Sequence, residues 1–170
     1  MEVSKLFGLP AHPLFVHVPV VLVPLAALGA VLIAVRPAWR SRFGMLVVAA
    51  AGVGLAGLQF AIGSGEALEE HVKESQALER HEELAGITRL SVLVFFVAVT
   101  GLVLYDRRRR SRAALAGSDA SAALRRNTVM MALGAITVAA SVFATAVVVQ
   151  SGHTGASVTW NRSSHQQSEW

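Results

Sequence analysis

Four long apolar stretches alternate with short polar ones along this chain. They cover about 14–35, 43–64, 84–105 and 128–150. Each is close to the roughly 20 residues a helix needs to cross a hydrocarbon core of about 30 Å. The pattern predicts an all-α fold, an integral membrane four-helix bundle over 1–158. The first stretch holds Pro19 and Pro24. In water these argue against a helix, but neighbouring helices in a membrane tolerate such kinks. Pro13 fits the first helical position, where its missing N–H costs nothing. The second stretch, V-V-A-A-A-G-V-G-L-A-G-L, is dense in small residues. Ala50 with Gly54, and Gly52 with Ala56, stand four apart, which predicts close helix packing through those faces, the alternative being plain apolar filler.

The polar segments orient the bundle. The link after helix 1 carries Arg36, Arg40 and Arg42, and the loop 106–127 carries Arg107, Arg108, Arg109, Arg110, Arg112, Arg125 and Arg126. The positive-inside rule makes both cytoplasmic, so the N-terminus, the C-terminus and the connection 65–83 are expected to be extracytoplasmic. That connection is acidic. Its four-residue spacings, Glu69 to Lys73 and Gln76 to Arg80, predict a helix that either extends helix 2 or lies on the membrane surface. The polar tail 159–170 has no predicted order.

Composition agrees with a membrane class. The chain is 54% hydrophobic and only 15% charged, too apolar for an ordinary soluble domain of its size. The formal charge of +4 raises the question of nucleic acid. However, the arginine run has no interleaved aromatic residues and is flanked by spans, so no nucleic-acid partner is expected. Attraction to lipid headgroups is its natural side effect. Without cysteine, the chain forms no disulfide, iron–sulfur cluster or covalent c-type haem. The N-terminus lacks the small-residue cleavage site of a signal peptide, so the first apolar stretch is expected to be retained as a helix.

With this topology all six histidines are expected outside. His12 and His17 open helix 1, His71 lies in the outer connection, His81 starts helix 3, His153 follows helix 4 and His165 is in the tail. One histidine at a membrane boundary is usually an interfacial polar residue. Five around one rim suggest a site. Neutral imidazoles ligate haem iron, copper or zinc, and protonatable ones move protons or sense pH. His12 and His17 are five apart and diverge by about 140° on a regular helix. His12 therefore turns inward only from a non-helical lead-in before Pro13, and His17 is the better ligand. Arg89 lies two turns into helix 3, where it either snorkels outward or pairs with Glu66, Glu70 or a haem propionate. No Glu-x-x-His pair of the di-iron carboxylate bundles is present.

The opening H-P-L-F-V-H-V-P (His12 to Pro19) resembles the N-terminal signature of a bacterial family of small four-helix membrane proteins, described only as a domain of unknown function. Three other places are similar: Gly65-Glu66 with Glu70, His81-Glu82, and the closing Gly152-His153-x-Gly155. The closing motif departs from the family where Ala156 replaces a second Gly and Thr159-Trp160 follows Val158. The resemblance implies a multi-pass protein of the bacterial inner (cytoplasmic) membrane. Redox domains fused to some relatives imply an electron-transfer or haem-linked role, by analogy alone.

The leading expectation is b-type haem, or a metal, at the outer rim. His17 and His81 are the first ligands, followed by His153 and His12; a metal would take His17, His81 and His153. Arg89 would meet a propionate, and Glu66, Glu70 and Glu82 would orient imidazoles. The rival expectation is a non-catalytic membrane subunit or assembly factor with structural histidines. Its small-residue faces would serve a membrane-protein partner or a second copy. A transporter has less support, since there is no inverted repeat and no ionisable residue near mid-bilayer. Enzymatic chemistry is least expected: the chain has no nucleophile–base pattern, phosphate-binding glycine loop or zinc-protease motif.

Overall fold

The structure, a computed structural model, describes residues 5–6, 9–69, 76–113 and 120–166, with side chains over 15–65, 79–80, 82–112 and 127–154. A two-residue antiparallel pair, β1 (Lys5–Leu6) and β2 (Leu9–Pro10), precedes four helices. The helices make up the rest of the described fold, in line with the all-α expectation. The helices are α1 (Ala11–Val35), α2 (Pro37–Glu69), α3 (Gln76–Ala113) and α4 (Ala120–Gln166).

Each helix contains a stretch long and apolar enough to cross a membrane: Phe15–Val35, Pro37–Gly65, Glu82–Arg112 and Asn127–Thr154. The apolar outer surface fits the same solvent. Leu25, Leu28, Phe60, Leu90, Met131 and Phe143 all stand exposed, a distribution that suits lipid and would be a liability in water.

The helices run further than their apolar stretches. Arg and Glu are good helix formers, and extending an existing helix is far easier than nucleating one. With no proline to stop it, α3 continues through the arginine run to Ala113 and α4 through the expected tail to Gln166. The connection 65–83 likewise divides between the end of α2 and the start of α3, with 70–75 outside the described residues.

The link from α1 to α2 is only Arg36, shorter than the arginine-bearing loop expected there. A residue before proline is disfavoured in helical conformation, and Pro37 then opens α2 at the position where proline costs nothing. Hydrogen bonds continue around the corner, from Arg36 N–H to Leu32 O at 3.0 Å and from Trp39 N–H to Arg36 O at 3.0 Å.

α1 packs on α2 and α4, and α3 packs on α4 and α2, so α1 and α3 lie diagonally across the bundle. Val23, Ile33, Val92, Phe95, Val99 and Leu102 fill its interior. The close seam lies between α1 and α2. A Cβ on Gly57 would lie 2.5 Å from Val18 Cγ1, and one on Gly29 would lie 2.9 Å from Val47 Cγ2. Glycine at these two positions lets the backbones approach. The seam follows Val47, Ala51, Gly54, Gly57 and Ala61, all buried, and so takes in Gly54 of the expected Ala50–Gly54 pair but not the other pair. Gly52 instead faces Phe96 of α3, and Ala56 is exposed.

Candidate functional site

The two ends of the bundle differ in chemistry, one carrying histidines and the other arginines. At the histidine end, Phe15 of α1 stacks on Phe60 of α2 with centroids 5.8 Å apart. This contact fixes the turn that bears His17. A Cβ on Gly152 of α4 would meet Val20 Cγ2 of α1 at 3.8 Å. His17 and His153 therefore lie on adjacent helices and within about a turn of one another in height. Both are exposed.

His12 does not sit on a non-helical lead-in, because α1 begins at Ala11. Positions 12 and 17 thus belong to one continuous helix and do not share a face. Pro13 is consequently inside the first turn rather than at its first position. It remains among the first four residues, whose N–H groups have no intrahelical acceptor. His81 falls in the second turn of α3, His165 near the end of α4 and Glu66 near the end of α2, all with side chains outside the described residues. His71 and Glu70 lie outside them altogether.

Glu82 and Arg89 are exposed on α3. Arg89 makes no ion pair among the described residues, as befits a side chain reaching from the apolar span towards water. Its neighbour Thr88 is buried and donates to Leu84 O at 2.6 Å, so that hydroxyl is satisfied within the helix.

Among the described residues no three His, Asp or Glu side chains come together. Two exposed imidazoles on neighbouring helices fall short of the four donors of a closed zinc site.

The arginine end holds a buried polar cluster, which the pattern of residues along the chain did not reveal. Arg40 is only 5% exposed. Its Nε donates to Ile33 O at 2.8 Å and its Nη2 to Ala34 O at 2.9 Å. These carbonyls belong to the last turn of α1, where intrahelical donors run out, so an arginine from α2 caps the helix before it. Its Nη1 lies 3.8 Å from Asp106 Oδ1 of α3. Asp106 Oδ2 also accepts from Arg110 Nε at 2.8 Å, and Arg110 Nη2 donates to Pro37 O at 3.0 Å. Arg109 Nη2 donates to Asn127 Oδ1 at the start of α4, at 3.1 Å. All four helices are thereby tied at this end. The available signal was Asp106, the single acid heading the arginine run, with Arg110 four residues on.

Aromatic side chains flank the cluster. Arg36 lies 5.2 Å from the Trp39 ring centroid and Arg42 lies 5.5 Å from that of Phe43. Amphipathic pairs of this kind suit a headgroup boundary.

An apolar exterior around a thin core, closed by a charged clamp at one end and open to histidines at the other, defines a small four-helix membrane protein. The chain belongs to the family described as predicted membrane protein (DUF2231), whose family model matches residues 8–168 and so takes in all four spans. No curated protein and no solved structure matches it.

Proposed function

We propose that the chain is a multi-pass protein of the bacterial cytoplasmic membrane, with its histidine end outside, which holds a b-type haem there and serves electron transfer. The observation that carries this reading is the placement of His17 and His153. Both are exposed, on adjacent helices and within about a turn in height, at the end opposite the Arg40–Asp106 cluster.

Bound haem supplies one-electron chemistry. His17 of α1 and His81 of α3, on diagonal helices, would be the first residues to hold it, with His153 and His12 next. Glu82, Glu66 and Glu70 would accept the second N–H of an imidazole and so fix its tautomer and orientation. Arg89 would neutralise a propionate. A metal ion held by His17, His81 and His153 is the variant of this reading that uses the same residues.

The test is a reduced-minus-oxidised spectrum of membranes and of the purified chain. A b-type band is expected, lost in His81→Ala and His17→Ala and retained in His165→Ala. Colourless, metal-free purified protein overturns both the haem and the metal version.

The exposure of His17 and His153 also favours a second reading, a non-catalytic membrane subunit or assembly factor whose histidines are interfacial polar groups. In that case His17→Ala lowers stability without removing a cofactor, and a stable partner is recovered from native membranes.

A further inference from the structure

We infer that the groove at the arginine end, between α1, α3 and α4, binds one anionic phospholipid of the phosphatidylglycerol type. The groove is about 1020 Å³. Arg40, Arg109, Arg110, Asp106 and Asn127 line one end of it. Three arginines against one aspartate leave two positive charges there, and Asp106 is already held by Arg40 and Arg110. Arg109 and Arg110 each keep N–H groups without a partner among the described residues, beyond the bonds to Asn127, Asp106 and Pro37 O. Arginine presents its donors in a planar fork that matches phosphate oxygens.

The rest of the groove is apolar. Met130, Met131, Gly134, Ala135 and Val138 descend α4 opposite Ala34 and Val35 of α1. From Asn127 to Ala139 this wall runs about 18 Å along the helix axis, from the charged end into the membrane span. A soluble phosphate would use only the rim. A molecule with a phosphodiester head and acyl chains uses both parts, and a basic pocket between spans is the setting in which such headgroups are held. The inference does not depend on haem or on which side of the membrane this end faces.

The experiment is native mass spectrometry of the full chain in mixed phosphatidylglycerol and phosphatidylcholine, reading retained lipid per chain. One bound phosphatidylglycerol is expected in preference to phosphatidylcholine. Arg109→Gln with Arg110→Gln should weaken that binding about thirtyfold, at roughly fivefold for each arginine near a lipid headgroup. Arg107→Gln with Arg108→Gln removes the same charge from exposed positions outside the groove and should change binding less than threefold. Ala135→Trp fills the apolar wall without touching charge and should also reduce retention; because Ala135 is exposed, this variant leaves the clamp intact. Equal losses in the two double variants, undiminished retention in Ala135→Trp, or no preference between the lipids overturns the inference. So does displacement of the lipid by inorganic phosphate.

Discussion

Removing the carboxylate of Asp106 leaves Arg40 charged and enclosed with no anion beside it. Asp106→Ala is the informative change, because Asp106 and Arg40 are each 5% exposed. Breaking a buried ion pair from one side costs about 3–5 kcal/mol. Two features put this case at the lower end. Arg40 keeps the Ile33 and Ala34 carbonyls as acceptors, and its approach to Asp106, at 3.8 Å, is coulombic rather than a close hydrogen bond. The contact with Arg110, whose side chain is 48% exposed, adds only about 0.5 kcal/mol, as for other solvated pairs four residues apart. The expected loss is about 3 kcal/mol, or roughly two orders of magnitude in the unfolding equilibrium. Arg40→Leu removes the charge together with the cap on α1. In the double variant Arg40→Leu/Asp106→Leu no charge is stranded, so the loss should fall short of the sum of the single losses by at least about 1.5 kcal/mol. The assay is unfolding of the purified chain by titrating dodecyl sulfate into mild detergent, followed by helical circular dichroism. A loss below about 1 kcal/mol for Asp106→Ala, or strictly additive effects, refutes the reasoning.

The glycines make a paired prediction. Gly57→Ala forces a Cβ to 2.5 Å from Val18 Cγ1 and should destabilise by about 1–3 kcal/mol through overpacking. Gly101→Ala meets nothing within 4 Å and should be neutral or stabilising by up to about 1 kcal/mol through helix propensity; the same titration separates them. Phe95→Ala empties the centre of the bundle, where Phe95 has no exposed surface, and should cost about 3–5 kcal/mol. Thr137→Val removes a hydroxyl that donates to Leu133 O of its own helix at 2.7 Å and lies 3.3 Å from Ala98 O of α3, where it shares that proton across the helices. A loss of about 0.6 kcal/mol is expected, as for other interhelical bonds in membranes.

The four spans were legible because each apolar stretch is long enough to decide the matter alone. What makes α2 pack against α1 was legible only as a composition. Small residues surround that helix, and spacing does not tell which ones face a neighbour; Gly54 and Gly57 do, and Ala56 does not. The histidine spacing likewise fixes the angle between positions 12 and 17 but not the rotation of α1, which leaves His17 exposed. The clamp was hidden for a different reason. Arg40 and Asp106 sit on different helices, far apart in the sequence, and each looks ordinary locally: one arginine among several, and one acid before a basic run. Their charges read as topology when taken along the chain and as a structural tie once α1, α2 and α3 are packed.

The proposed topology puts the histidine and arginine ends on opposite sides of a membrane, with the histidines outside. The absence of cysteine gives a clean background for single reporters. Glu83→Cys and Ser111→Cys place thiols at exposed positions towards the two ends of α3, about 42 Å apart along the helix. In intact bacterial spheroplasts a membrane-impermeant maleimide should label Glu83→Cys at once, and Ser111→Cys only after the membrane is opened. Labelling of both before opening, or of Ser111→Cys alone, contradicts the account.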